Sequence, residues 1–390
     1  MTRLLARSLI SVGSIAGIAA FSLIASVSSG QAAGSAPHWR IVKTFGPAGQ
    51  ASRLLAVTAT GPANAWAAGD LCEGCTPSPR LAVQHWNGKS WNVRKLPATI
   101  AQSDYGVVSM AASSNSNVWI ISDTALGAAA VRLTGSKWTA TKLPSWVVRV
   151  AFGSGLVDNT VLDFGSRNVW DFSLGAATLP TVAARFNGHL WRKTFMPTMP
   201  LHVSAVSAND IWAVGPTRKT MHLPLTQQTD IAMHWNGHFW KSIRVPRVRS
   251  TPVGGYVSGM VAQSPKQLWL GVPTGGTIGN LRGLLLHWNG SRWAHVFVPR
   301  GVFNFPTGAP IVQDGHGGLW MQRSGPAPNF PLYLYRYNHG HWTRYLMPDG
   351  NRINLLSFAW IPGTTKVWAV GLDTAFPANT VKALIAGFGT

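Results

Sequence analysis

The sequence has few charged residues, and acidic ones are the scarcest. Charged residues make up 12% of the 390 positions, and Glu73 is the single glutamate beside eleven aspartates. Long helices usually carry Glu, Lys and Ala on their solvent-exposed faces, so this composition argues against a helical protein. The chain instead has 41 Gly, 25 Pro and many β-branched and aromatic residues, which favours an all-β fold.

Cysteine is also scarce, because Cys72 and Cys75 are the only two. Half of a zinc site is one interpretation, but no second pair of ligands follows at a matching spacing. A thioredoxin-like redox motif would need a βαβ context, which the sequence does not show. For an exported chain we expect Cys72 and Cys75 to form a small disulfide within one loop, where so short a ring contributes only about 2 kcal/mol.

The N-terminus has the pattern of an export signal. Arg3 and Arg7 precede an apolar run over residues 8–27, and small residues follow over residues 28–33. This order of basic, apolar and small segments is typical of a secretory signal peptide. The sequence therefore predicts export of the chain.

We expect the leader, residues 1–33, to be cleaved near Ala32 or Ala33, which leaves residues 34–390 as a single domain. An uncleaved signal anchor is an alternative, because the apolar run approaches the ~20 residues that span a bilayer. A lipid anchor is a weaker alternative, because residues 28–33, directly after the run, contain no Cys.

A four-strand unit recurs seven times after the leader, and it is clearest from Ser204 to Pro246. Its predicted strands are residues 203–207, 211–215, 231–235 and 240–245. Asn236 and Gly237 join the last two strands. Asn-Gly favours a tight type I′ hairpin, since both central residues need a positive φ, which Gly takes freely and Asn tolerates.

The tryptophans fix the phase of the repeat, because fourteen of nineteen occupy two positions in it. The second strands carry Trp66, Trp119, Trp170, Trp212, Trp269, Trp320 and Trp368, and the fourth strands begin with Trp39, Trp91, Trp138, Trp191, Trp240, Trp293 and Trp342. Second-strand tryptophans lie 42 to 57 residues apart, which is typical of four-stranded propeller blades rather than helical repeats of ~34 to 47 residues. We therefore predict a seven-bladed β-propeller with four antiparallel strands per blade. The phased rings are expected to pack between blades, and the unphased Trp146 and Trp360 are candidates for ligand contact.

The two ends of the chain complement each other. The seventh unit stops after the third strand, Ala383–Phe388, where the other units turn into their fourth strand. Residues 39–47 resemble a fourth strand with no first three before it. We therefore predict that the last blade combines three strands from the C-terminus with one strand from the N-terminus.

Two segments carry a resemblance to a known family: WAAGD…AVQHWNGKSWNVRKLP (66–97) and WAVGP…AMHWNGHFWKSIRVP (212–246). They resemble kelch repeats, as in the central domain of galactose oxidase, and secreted propellers with HWNG-type repeats. The resemblance covers nearly all of residues 38–390. It departs from kelch where the Gly pair is replaced, as by Val214-Gly215. It implies a fold and no activity.

Known propeller enzymes need residues that this sequence lacks. Galactose-oxidase-like chemistry needs copper ligands and a cysteine cross-linked to a tyrosine, whereas both cysteines lie in one loop. A sialidase-like site needs a tyrosine nucleophile with a glutamate, repeated Asp-box turns and an arginine cluster. Here Glu73 is the only glutamate, and the repeated turns are Asn-Gly. A pair of carboxylates such as Asp104 and Asp163 could serve a glycosidase, but their spacing does not select them. We therefore expect no catalytic residue, cofactor or metal, with a secreted carbohydrate-active enzyme as the alternative.

The strongest functional signal is the positive charge. Lys and Arg number 33 against 12 Asp and Glu, and removal of Arg3 and Arg7 with the leader lowers the net charge from +21 to +19. Such a field attracts anionic glycans, wall polymers, membranes or nucleic acid. Many of the cations lie in or beside fourth strands: Arg40, Lys43, Arg94, Lys95, Lys142, Arg192, Lys193, Lys241, Arg244 and Arg344. Cations on outer strands also prevent edge-to-edge aggregation, and few carboxylates would suit an acidic habitat, where Asp and Glu lose their charge near about pH 4.

Ligands of propellers usually bind at the mouth of the central channel, in the second-to-third and fourth-to-first connections. The candidates there are Asp104, Tyr105, Arg218, Lys219, His222, Tyr256, Asn304 and Arg352. We predict a monomeric, exported, non-catalytic module that acts in binding or as a scaffold at the cell envelope or outside the cell. Its expected partner is a glycan, an anionic envelope polymer or another protein. We expect no specific nucleic acid and no membrane span after leader removal.

Overall fold

The structure is a computed structural model that describes most of the chain after the leader. The described residues are 36–47, 50–73, 80–101, 107–124, 127–147, 160–172, 181–224, 227–248, 256–275, 282–300, 302, 311–323, 332–374 and 381–390. The predicted leader lies outside these residues. Pro37–Thr390 forms one unit by internal contacts.

Seven sheets of four antiparallel strands make up this unit. The N-terminal strand is β1 (Trp39–Phe45), and blade 1 has β2 (Ala51–Gly61), β3 (Asn64–Glu73), β4 (Arg80–Trp86) and β5 (Trp91–Val93), followed by the short helix α1 (Ala98–Ala101). Blade 2 has β6 (Val107–Ser114), β7 (Asn117–Thr124), β8 (Gly127–Thr134) and β9 (Lys137–Lys142). Blade 3 has β10 (Thr160–Asp163), β11 (Val169–Phe172), β12 (Val182–Phe186) and β13 (Trp191–Phe195).

The second half of the chain repeats the same order. Blade 4 has β14 (His202–Ser207), β15 (Asp210–Pro216), β16 (Asp230–Trp235) and β17 (Trp240–Arg244). Blade 5 has β18 (Gly259–Ser264), β19 (Gln267–Gly275), β20 (Arg282–Trp288) and β21 (Trp293–Phe297). Blade 6 has β22 (Ile311–Gln313), β23 (Leu319–Arg323), β24 (Tyr333–Asn338) and β25 (His341–Leu346). Blade 7 has β26 (Ile353–Trp360), β27 (Val367–Asp373) and β28 (Lys382–Phe388). The predicted all-β, seven-bladed propeller is confirmed.

The two chain ends close the ring as predicted. In blade 7 the strand order is β1-β28-β27-β26, and β1 runs antiparallel to β28 from Trp39 opposite Phe388 to Phe45 opposite Ala383. Trp39 is 1% exposed, and its ring centroid lies 5.4 Å from that of Trp320 in blade 6. The closing strand therefore completes both a sheet and an interface between blades.

The two phased tryptophan positions meet each other across the blade interfaces. In five interfaces the second-strand ring of one blade lies edge-to-face with the fourth-strand ring of the next, at centroid distances of 5.1 to 6.5 Å: Trp66 with Trp138, Trp119 with Trp191, Trp170 with Trp240, Trp320 with Trp39 and Trp368 with Trp91. Edge-to-face contact is a favoured geometry for aromatic pairs. The packing of these two rings between neighbouring blades thus explains why tryptophan recurs in both the second and the fourth strands.

The Asn-Gly turns differ from the predicted type I′ geometry. Gly88, Gly188, Gly237 and Gly290 have φ between 93° and 100°, whereas the preceding asparagines do not have positive φ. In blade 4 the loop has four residues, and the Asn236 side chain accepts bonds from the backbone N–H groups of His238 and Phe239 at 3.0 Å each. Asparagine therefore stabilises the loop with its side-chain oxygen. Only His339 and Gly340 in blade 6, with φ of 46° and 85°, form a two-residue turn with positive φ at both central positions within the described hairpins.

A cation or imidazole stacks on the buried second-strand tryptophan in six blades, a feature that the sequence analysis missed. The pairs face each other across the second and third strands: Trp66 with His85, Trp119 with Arg132, Trp170 with Arg185, Trp212 with His234, Trp269 with His287 and Trp320 with Arg336. Blade 7 has Gly387 at this position, where a side chain would collide with Thr390. The sequence signal is a His or Arg six residues before the fourth-strand tryptophan of the same blade.

Acid is expected to destabilise the fold through His287. Its ring lies 3.9 Å from the Trp269 centroid, and burial lowers its pKa below the ordinary value of 6.5. The unfolded chain then binds a proton more readily than the fold, so stability is lost as the pH falls from 6.5 through the folded-state pKa. His287→Phe keeps the stacked ring and removes the titration. Thermal melts at pH 7 and about pH 5 should therefore show a smaller acid-induced drop for this variant.

The control for this prediction is His295→Phe, because His295 is exposed on β21 of the same blade. That variant should keep the pH dependence of the unmodified protein. An undiminished drop in the His287→Phe variant would contradict the assignment.

Candidate binding cleft

The two ends of the ring differ in their connections. The turn face carries the hairpins between first and second strands and between third and fourth strands. The loop face carries the second-to-third and fourth-to-first connections, where the channel mouth was predicted. Five of the predicted ligand residues, Arg218, Lys219, His222, Tyr256 and Arg352, fall in described parts of the loop face. Asp104, Tyr105 and Asn304 lie outside the described residues, as do Cys75 and the side chain of Cys72.

Three of these residues share the connection between β15 and β16, and one of them also bonds to the neighbouring blade. The guanidinium of Arg218 donates to the carbonyls of Pro197 at 2.7 Å and Met196 at 3.4 Å, which ties the connection to the end of blade 3. Lys219 and His222 are exposed. Arg218 therefore has a structural contact, and ligand binding by Arg218, Lys219 and His222 stays a prediction.

Arg352 lies in a different part of the loop face, in the connection from blade 6 to blade 7. Its Nη2 lies 3.3 Å from Oδ2 of Asp373 and 3.5 Å from Oδ2 of Asp349. Its backbone carbonyl accepts bonds from the N–H and hydroxyl of Thr374 at 2.8 and 2.9 Å. Both carboxylates thus form ion pairs with Arg352. They are not the pair of unpaired acids that a glycosidase would use.

The remaining sequence candidates lie away from the loop face or inside blade interfaces. Asp163 ends β10 on the turn face, where its carboxylate accepts bonds from Asn117 at 2.7 Å and from the Gly165 N–H at 2.9 Å. Trp360 also belongs to the turn face, since its Nε1 donates to the Thr364 carbonyl at 2.6 Å within the β26–β27 hairpin. Trp146 is half-buried between blades 2 and 3. These contacts stabilise the fold.

A cleft opens on the loop face between blades 4 and 5. It is lined by Gln228 and Thr229, Asp230 at the start of β16, Val245 to Val248 after β17, Val257 before β18, and Val272 in β19. Its cavity of about 10 Å³ has room for one water-sized group. Four valines give the cleft apolar walls, and Asp230 is the acidic residue in it.

Asp230 is buried with one oxygen unused. The side chain is 8% exposed, and its Oδ2 accepts the Val257 N–H at 3.1 Å. Its Oδ1 has no hydrogen-bond donor within the described part of the chain. Burial raises the pKa of Asp230, while the Val257 bond and the nearby His202 act in the opposite direction. A buried acceptor without a donor is costly, so it marks a place where a ligand or water can bind.

His202 and Tyr256 border the same segment. His202 is 5% exposed, and its Nε2 donates to the Val257 carbonyl at 3.1 Å. The backbone of Val257 is therefore bound on both sides, its carbonyl by His202 and its N–H by Asp230. Tyr256 is 3% exposed, and burial raises its pKa to about 12. Tyr256 is among the residues predicted from the sequence, whereas His202, Asp230 and Arg247 are not, because partners 27 and 55 residues apart leave no local pattern.

The distribution of charge strengthens the basic character of the surface. Six acidic side chains are buried: Asp70, Asp171, Asp210, Asp230, Asp314 and Asp373. Among residues whose exposure is described, Asp349 is the one exposed acid, against twenty-two exposed Lys and Arg side chains. Nine of the ten fourth-strand cations named above are exposed, Lys43 being half-buried. We call the outermost strands β1, β5, β9, β13, β17, β21 and β25 the rim.

Metal binding and membrane insertion find no support within the described ranges. These residues contain no group of three or more His, Cys, Asp or Glu side chains placed to hold a metal ion. The same part of the chain contains no helix of the length and apolarity that a membrane crossing requires.

Comparison with known proteins shows similarity of fold. No family model and no curated protein matches the chain. It is similar to the β-propeller domain of the Trilobed protease from Pyrococcus furiosus (TM-score 0.52, 9% identity, covering 87% of this chain and 98% of that one). It is also similar to the β-propeller domain of Myceliophteria thermophila Cps50 (Swd1) (TM-score 0.52, 9% identity, 90% and 99% covered) and to a chain of a mitotic checkpoint complex (TM-score 0.50, 11% identity, 99% and 98% covered). At these identities the similarity establishes a shared β-propeller fold and no shared activity.

Proposed function

We propose that this propeller is exported and acts as a non-catalytic binding module for anionic polymers at the cell envelope or outside the cell. The observation that carries the proposal is the charge of the surface, where exposed cations greatly outnumber the single exposed acid among the described residues. None of the ten fourth-strand cations forms an ion pair within the described part of the chain. Unpaired cations on neighbouring blades can bind successive anionic groups of one polymer.

Export and repeat type belong to the same proposal. The basic, apolar and small segments of the leader support export. The Gly near the end of the second strand supports kelch-type repeats, because at Gly215 and Gly371 the carbonyls of Met199 and Asn354 lie where a side chain would begin. Outside the cell the anionic polymers available are chiefly glycans and wall polymers, which favours these ligands over nucleic acid.

Binding to immobilised heparin tests the proposal. The protein should be retained at low ionic strength and eluted by salt, since released counterions drive such binding. The double variant Arg192→Glu/Lys193→Glu reverses two exposed rim cations of β13. It should elute at lower salt, with the slope of log affinity against log salt reduced by about 1 for each cation that no longer binds the polymer.

The matched control is Lys266→Glu/Lys366→Glu, which makes the same change in net charge at two exposed turn-face hairpins. It should elute close to the unmodified protein. Equal weakening in both double variants would show that net charge alone governs retention, and absence of retention at low salt would refute polyanion binding. Depolymerisation of an anionic glycan by the purified protein would instead support the enzyme alternative.

A further inference from the structure

We propose that the cleft between blades 4 and 5 binds one acidic sugar unit, with a sugar hydroxyl donating to Asp230 Oδ1 and an anionic substituent meeting Arg247. This inference rests on the proposed function and deepens it, because it assigns a specific subsite to a polymer that the rim attracts without specificity.

The first step of the argument is the unused acceptor. Asp230 is buried and held by the Val257 N–H, which orients its carboxylate, while Oδ1 has no donor in the described part of the chain. The adjoining cavity has room for a single water-sized group. A hydroxyl group has that size and supplies the missing donor, which removes the cost of leaving a buried acceptor unpaired.

The second step is the lining of the cleft. Val245, Val248, Val257 and Val272 form its apolar part, and Arg247 at its edge is exposed and has no acid partner among the described residues. A ligand that fits therefore combines a hydroxyl, apolar C–H groups and an anionic group. An acidic sugar, such as a uronic acid, has all three.

A competing ligand class is a small amine. The ammonium group of an amino acid would also donate to Asp230, and its carboxylate would meet Arg247. The ammonium would have to lose its hydration shell beside the four valines of the cleft, which costs more than burying a neutral hydroxyl. The hydroxyl of an acidic sugar avoids that cost.

Isothermal titration calorimetry with the full chain tests the site, using methyl glucuronide, the neutral methyl glucoside and glycine as probes. The glucuronide should bind, the glucoside should bind more weakly, and glycine should not compete. Asp230→Asn keeps the shape of the side chain and presents an amide donor in place of the unused acceptor. It should weaken glucuronide binding by about tenfold or more.

Arg247→Ala keeps the test decisive if the Asp230 variant fails to fold, because Arg247 is exposed. It should reduce glucuronide affinity to the level of the glucoside. The control Lys382→Ala removes an exposed loop-face cation of blade 7 and should leave the affinity unchanged.

The inference is overturned if glucuronide does not bind, if Asp230→Asn and Arg247→Ala both bind it like the unmodified protein, or if glycine binds in its place. A buried water held by Asp230 and no sugar binding would likewise overturn it. Heparin retention measured on the same variants separates this result from the proposed function, since disruption of the cleft should leave rim binding intact.

Discussion

Deletion of residues 39–42 is expected to lower the melting temperature by on the order of 10 °C. These residues begin β1, which supplies the outer strand of blade 7. Their deletion removes the buried Trp39 from its packing against Trp320 and Phe388, at centroid distances of 5.4 and 5.8 Å. It also exposes the edge of β28, so the deleted protein should aggregate more readily. Differential scanning calorimetry and light scattering measure both effects.

A rescue variant separates failure of closure from simple shortening of the chain. Residues 38–47 can be removed from the N-terminus and placed after Thr390, where the chain order of the other blades has its fourth strand. If β1 acts by pairing with β28, this rearrangement should recover most of the decrease in melting temperature. Arg40→Ala serves as control, since Arg40 is exposed on the same strand and its removal should have little effect. An unchanged melt after deletion would refute closure by β1.

Replacement of Trp212 by alanine is expected to cost about 3 to 5 kcal/mol of unfolding free energy. Trp212 is 1% exposed and shares a core cluster with Met260, Leu268 and Leu270 of blade 5. The ring also stacks on His234, with centroids 4.2 Å apart and planes inclined by 17°. The substitution therefore leaves a cavity between two blades and removes the support of a half-buried imidazole.

The matched control for this prediction is Phe239→Ala, an aromatic residue of the same blade that is 60% exposed. It should change stability by less than about 0.5 kcal/mol, as surface substitutions usually do. Urea denaturation of both variants gives the comparison. A decrease below about 1 kcal/mol for Trp212→Ala would contradict the packing described here.

The fold could be predicted from the sequence because its strongest signals repeat. Each phased tryptophan marks one strand of every blade, and the incomplete seventh unit together with residues 39–45 showed how the ring closes. The turn geometry could not be predicted in the same way. Asn236 and Gly237 match a type I′ turn as a dipeptide, but the asparagine side chain instead accepts two backbone bonds within a four-residue loop.

The cleft was beyond prediction for a physical reason. Asp230, His202 and Val257 meet through contacts between blades, and a repeat pattern describes each blade but not the unphased residues that connect two of them. The contacts of Arg218 were likewise not predictable, because its guanidinium donates to the carbonyls of Met196 and Pro197 at the end of the preceding blade. Tyr256 lies on the loop face next to Val257 of the cleft, and its role in binding stays a prediction.

Hydrogen–deuterium exchange of β28 tests the closed ring most directly. In a closed propeller, residues 382–388 are paired with β27 on one side and with β1 on the other. Their amides should therefore exchange as slowly as those of residues 231–235, which lie between two strands of blade 4. Rapid exchange of alternate amides in β28, those facing β1, would show an open edge and contradict closure of the ring.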